Sequence, residues 1–248
     1  MPDLASPVPP APGADSPGAG SPGTDSPGAV SPGTTSPEAA AAALVAVDPR
    51  LEPVFAAYGP FVPARTEDET ATALVRSVVY QQLSGRAAAT IHGRVLAAFG
   101  EPGSGDSGVP DVAAIAAAPL DALRACGLSR AKTLALHDIA ERALDGRLPD
   151  RDALAAMPDA NVERALVAVR GVGPWTAHML MMFTLGRPDV WPVADLGVQE
   201  GYRILSDADA RPTPAELLAL GERYRPYRSA AAWAMWRVVD LVREGLKG

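Results

Sequence analysis

A single carboxylate, Asp195, follows the largely apolar run VWPVA (190 to 194) and directly precedes a segment with helical spacing. Upstream, Gly171, Val172 and Gly173 stand before Pro174 and Trp175. Glycines at 171 and 173 allow positive φ and close approach of a foreign backbone, and the free N–H groups at a helix start form an anion site. A phosphate diester fits such a site without a basic surface. A carboxylate nearby could stabilise developing positive charge and orient or deprotonate an attacking water. Two plainer readings stand beside these: GVG as an ordinary turn between helices, and Asp195 as the N-cap of a helix starting at Leu196.

Helices must position these groups. Apolar residues recur every three or four positions over 38–47, 69–83, 87–98, 111–117, 119–125, 129–144, 150–156, 161–169, 174–185, 196–205, 214–222 and 228–244. No alternating strand pattern competes. Gly100, the GSGDSG segment at 103–108, Gly127, Gly146 and Gly186 fall just beyond periodic segments. The expectation is an all-α domain of about ten short helices. Leu166 and Val169 close one helix, residues 170–173 turn, and Pro174 takes the first position of the next, where its missing N–H is harmless. A helix over 174–185 carries the chain about 18 Å from the turn, and residues 186–194 span up to roughly 30 Å, so Asp195 can return to the glycines.

The 248 residues, 48% apolar and 21% charged, suffice for one substantial core or two small lobes. One cysteine, Cys126, excludes an internal disulfide framework, a four-cysteine zinc site and a cysteine-ligated iron–sulfur cluster. The three histidines (His92, His137, His178) have no metal-binding spacing, so neither a metal nor a cofactor is expected. The apolar run Ala39 to Val47 is too short to cross a bilayer and follows no basic segment, which points to a cytoplasmic protein without a membrane partner. From Ser16 the sequence repeats SPGxx, with serines at 16, 21, 26, 31 and 36, and a disordered tail is expected over 1–37. Net charge is −7; without Asp3, Asp15 and Asp25 of the tail, 22 basic residues face 26 acidic ones, or −4. That balance opposes strong non-specific DNA binding.

The stretch LVAVRGVGPWTA, followed by GRPDVWPVAD, resembles the helix-hairpin-helix element of the DNA glycosylase superfamily, in which a Gly/Pro-rich loop leads to an aspartate. The resemblance implies that Asp195 is catalytic and that Arg170, Gly171, Val172, Gly173 and Thr176 lie against DNA. Lyase-competent members carry a lysine in a GVGxKTA pattern; here that position is Trp175, which implies hydrolysis without a Schiff base. LVRSVVYQQLSGRAAATIHGRV (74–95), LRACGLSRAKTLALHDIAERALDGRL (123–148) and YRPYRSAAAWAMW (224–236) resemble the alkylation-repair branch, 3-methyladenine DNA glycosylase II, and the likeness covers roughly 50–242. It implies Gln82 as the residue pushed into the gap left by a flipped base, and Trp175, Trp236, Tyr80 and Met179 as the base pocket. A methylated purine such as 3-methyladenine or 7-methylguanine is cationic, so aromatic faces attract it and it leaves readily.

The implied fold is a two-lobed all-α helix-hairpin-helix glycosylase, one lobe about 69–170 and the other 38–68 with 171–248, the pocket between them. The implied partner is double-stranded DNA containing alkylated bases, bound by a monomer. Rival readings are a DNA-binding module without chemistry and a structural or interaction protein with an incidental turn. Arg170 and Arg228 read as phosphate contacts or solvated helix caps, Arg130 and Lys132 as DNA-tracking or solubilising charges, and His178 as a packed or surface histidine.

Overall fold

Ser36, the last serine of the repeat, already belongs to the fold. Its hydroxyl accepts the Ala39 N–H at 3.2 Å, and Pro37 and Glu38 enter the first turn of helix α1 (Pro37–Val47). The tail expected through residue 37 therefore ends sooner, because SPE supplies an N-cap, a proline at the first position and an acid at the positive end of the helix. The computed structural model describes residues 36–63, 68–101 and 108–245; the rest of the tail and residues 103–107 of the glycine-rich segment lie outside them.

The helices that follow are α2 (Glu52–Tyr58), α3 (Thr70–Tyr80), α4 (Gly85–Phe99), α5 (Val112–Ala117), α6 (Leu120–Ala125) and α7 (Arg130–Leu144). After them come α8 (Arg151–Ala156), α9 (Asp159–Val167), α10 (Pro174–Met179), α11 (Leu196–Leu205), α12 (Pro214–Gly221) and α13 (Arg228–Arg243). No strand occurs among the described residues, only an isolated bridge between Gly100 and Pro110. Helix α2 is absent from the periodicity reading. It is seven residues long, buries only Val54 fully, and contains Pro53, which reads as a breaker although proline in a first turn is harmless. Beyond α10 the chain widens into a π turn, Leu180–Thr184, whose wider closure shows in the bond from Leu185 N–H to Leu180 O at 3.0 Å.

Helix α7 packs against α3 and α5, and α4 lies on both α3 and α5. Helix α13 packs against α11 and α2, with α1 beside it. One apolar core joins the two groups, from Leu74, Leu136 and Ile139 to Met182, Val198 and Met235. Each such side chain contributes about 1.5–3 kcal/mol by leaving water. Helices α11 and α13 cross closely because Gly201 lies against the Met235 carbonyl, where a Cβ has no room.

Asp48, 3% exposed, ties the start of the domain to its end. It accepts from Arg50 at 2.7 and 2.8 Å and from the Tyr224 hydroxyl at 2.8 Å, with Arg223 at 3.3 Å. Burial pushes its carboxyl up, but the hydrogen bonds from Arg50 and Tyr224 outweigh burial and hold it below the usual carboxylate range. No described helix is long and apolar enough to cross a membrane.

Candidate active site

The turn between α9 and α10 is fixed from below by α7. The Arg170 N–H donates to Asp138 Oδ2 at 2.7 Å, and Gly171, at φ 79°, lies where an added Cβ would come within 2.9 Å of the Ala135 Cβ. Glycine is thus required at 171 by both conformation and space. Gly173 differs from the sequence expectation: its φ of −94° and ψ of 174° are ordinary extended backbone, and nothing stands within 4 Å of an added Cβ. It serves as the N-cap residue of α10 and makes no side-chain cap, so no side chain of the cap claims the first N–H groups of that helix. Val172 points into the core, 4% exposed, and anchors the turn.

The segment 186–194 returns the chain as a braced loop. Arg187 Nη2 donates to the carbonyls of Leu154, Ala155 and Met157 at 2.7, 3.0 and 2.8 Å. Ser229 of α13 donates its hydroxyl to Arg187 O at 2.6 Å and accepts the Val190 N–H at 3.0 Å. The Trp191 indole N–H reaches Leu217 O at 2.8 Å. Arg228 is buried, neither a phosphate contact nor a solvated cap: it holds Asp189 through Nε at 2.7 Å and Nη2 at 2.9 Å. This bracing delivers Asp195 to the start of α11.

Asp195 is 9% exposed, and its two oxygens have different partners. Oδ1 accepts the Val198 N–H at 2.7 Å and the Trp236 indole N–H at 2.9 Å; Oδ2 accepts the Trp175 indole N–H at 2.5 Å. Asp195 is therefore an N-cap and also a carboxylate facing the hairpin helix. The cap occupies only Oδ1, so it does not use up the carboxylate.

The aromatic residues divide by exposure. Trp175 is 39% exposed beside the carboxylate, whereas Trp236 is buried, stacked on Phe183 with centroids 6.1 Å apart and pressed against Gly197. Met179 is buried under α10, and half-buried Tyr80 sits at the end of α3 between the His92 ring and the Arg76 guanidinium. Burial pushes the His92 imidazole down and Arg76 adds to the effect. His178 leans toward Glu163 at 3.4 Å.

Gln82 is exposed at the tip of the α3–α4 turn with φ 56°, and the neighbouring Gln81 amide donates to Gly171 O at 3.1 Å and to the Thr176 hydroxyl at 3.2 Å. Thr176 is buried, so its hydroxyl serves this internal contact. Lys132 neither tracks outward nor merely solubilises: its Nζ donates to Val79 O at 2.8 Å and Gln81 O at 2.7 Å. Gln81, Asp138, Phe183 and Gly197 had not been singled out from the sequence. Only the Gly197 to Gly201 spacing, one turn apart on α11, carried a legible signal of close helix packing. Among the described residues no cluster of three or more His, Cys, Asp or Glu could hold a metal ion.

This arrangement has relatives. A DNA-3-methyladenine glycosylase 1 of Schizosaccharomyces pombe is 33% identical over 168 residues, covering 68% of this chain and 72% of that protein. A solved S. pombe 3-methyladenine DNA glycosylase in complex with abasic DNA superposes with TM-score 0.69 at 30% identity, covering 80% of this chain and 95% of that one. A DNA-3-methyladenine glycosidase from Bacillus halodurans superposes with TM-score 0.70 at 33% identity, covering 84% of this chain and 92% of the other. The model of the HhH-GPD superfamily matches residues 75–226, from the third helix through Asp195 to the approach of α13. With the hairpin, the braced loop and the aspartate all inside that span, the chain belongs to the HhH-GPD superfamily of base excision DNA repair proteins.

Proposed function

We propose that this protein is a monofunctional DNA glycosylase that excises alkylated purines of the 3-methyladenine and 7-methylguanine type from duplex DNA, acting as a monomer in the cytoplasm. The observation that carries the reading is the placement of Asp195 Oδ2 against Trp175, on the first turn of the hairpin helix. A phosphate held by backbone N–H groups of the hairpin and a sugar facing the carboxylate then belong to one nucleotide. The relatives' names, which specify 3-methyladenine, supply the substrate class.

In this reading the damaged nucleotide leaves the stack, Gln82 fills the gap, and the cationic base lies on the exposed face of Trp175. The C1′–N bond breaks toward the base, positive charge grows on the sugar, and Asp195 stabilises it. Water adds its oxygen to C1′, and its proton leaves with Asp195 as acceptor. Trp236 lies behind the carboxylate and fixes Oδ1. The two lobes expected from the sequence close on the base from either side. A lyase step has no lysine to run on at the hairpin: the chain has two lysines, and Lys132 is engaged by carbonyl oxygens while Lys247 stands at the far end of the sequence.

The test is release of free base from methylated duplex DNA. The wild type releases 3-methyladenine and 7-methylguanine, Asp195→Asn is slower by roughly 10²–10³-fold, and borohydride traps no protein–DNA adduct. Equal release by the wild type and Asp195→Asn, or binding without release, would remove the enzymatic reading; a trapped adduct would remove the monofunctional one.

A further inference from the structure

One face of α7 touches both halves of the site. Lys132, Ala135 and Asp138, spaced by three, meet in turn the end of the α3–α4 turn, the Cα of Gly171 and the Arg170 N–H. Gln81 closes the circuit by bonding its amide to Gly171 O and to Thr176. Gln82 stands at the exposed tip of this frame, in the left-handed region at φ 56°. A residue with a Cβ costs about 1 kcal/mol or more in that conformation and persists where its surroundings dictate it. What dictates it here is on either side: the Lys132 ammonium fixes the carbonyls of Val79 and Gln81, and the Gln81 side chain is pinned to the hairpin. The ammonium is held at some expense, since burial pushes the Lys132 pKa down with no carboxylate to offset it.

We propose that Lys132 and Gln81 are positioning residues for Gln82, holding it outward in a strained turn and locking that turn to the hairpin, so that phosphate capture and insertion into the base stack are carried out by one rigid unit. The inference rests on the DNA-facing roles given above to Gln82 and the hairpin. Its test reads insertion without chemistry. A duplex with a tetrahydrofuran abasic analogue beside a 2-aminopurine is saturated with protein, and the change in 2-aminopurine emission reports disturbed stacking. The wild type changes the emission, and Gln82→Ala abolishes most of that change. Lys132→Met and Gln81→Leu each lower it about tenfold, and Lys132→Met has no further effect in the Gln82→Ala background, as required when one residue acts through the other. Lys132→Arg, which keeps the charged donors, restores most of the change.

Melting temperature separates positioning from folding. Should Lys132→Met fail to fold, Gln81→Leu, which leaves the core untouched, gives the same reading. An emission change that survives both Lys132→Met and Gln81→Leu, or equal losses from Lys132→Met with and without Gln82, overturns the inference, as does a wild type that leaves the emission unaltered. A wild type that changes the emission yet releases no methylated base removes the glycosylase reading and leaves the clamp standing.

Discussion

The two oxygens of Asp195 have different partners, and the proposed chemistry falls to Oδ2. Oδ1 is bound twice, by the backbone of α11 and by Trp236, while among the described residues Oδ2 accepts only from the exposed Trp175. Trp236 thus acts on the carboxylate more directly than on a base, since its ring lies buried on Phe183. Trp236→Phe keeps the packing and deletes one donor to a charged acceptor, a bond worth about 1.5–3 kcal/mol. The expected outcome in single-turnover base release is a fall of about tenfold or more in the chemical step with duplex affinity unchanged. A loss of affinity with an unaltered chemical step would return Trp236 to the pocket wall. On the proposed function, Trp175→Ala should do the reverse in part, weakening discrimination between methylated and unmodified purines in base release, because an aromatic face attracts a cationic ring.

At the scale of elements, position is set by glycines and by a braced loop. Gly201 admits the Met235 carbonyl and so lets α11 and α13 cross closely enough for Trp236 to reach Asp195. Gly201→Ala is expected to destabilise by about 1–3 kcal/mol through overpacking, read as a drop of several degrees in Tm with base release reduced in the surviving folded protein. The periodicity of the sequence was enough to find every helix that buries a stripe. It did not find α2, which buries one residue fully, or the π turn after α10, since widening a helix by one residue per turn leaves the apolar spacing nearly unchanged. The hairpin was legible because its turn chemistry is local. Its anchors were not: Asp138 lies 32 residues and Gln81 90 residues from their partners in the turn.

For the whole molecule, a net charge of −7 sits awkwardly with a DNA partner until the arginines are sorted by location. Those at 50, 142, 187, 203, 225 and 228 are bound to carboxylates, whereas Arg76, Arg86, Arg94, Arg130, Arg151, Arg164, Arg170 and Arg243 have no ion pair among the described residues. Of these, Arg86, Arg130 and Arg170 lie at the start of α4, the start of α7 and in the hairpin, the elements that meet at the Gln82 turn. Removing any one by substitution with alanine should flatten the slope of log affinity against log salt by about 0.9, measured on duplex DNA; an unchanged slope for all three places the DNA elsewhere. Overall stability has its own long-range tie in Asp48. Because its folded carboxyl lies below the usual range, its contribution is complete above the unfolded value near pH 4 and is lost as pH falls through the lowered folded value. Asp48→Asn should cost about 3–5 kcal/mol near neutrality, and the gap to the wild type in denaturant unfolding should narrow as pH falls below about 4. The sequence by itself determined the helices other than α2, the hairpin and the N-cap position of Asp195, because spacing, capping and turn chemistry act over a few residues. Only the tertiary structure decided that Trp236 is buried, that Lys132 and Arg228 are internal braces, and that Gln81 joins two distant turns. Those contacts depend on which surfaces packing brings together, and no local pattern encodes that.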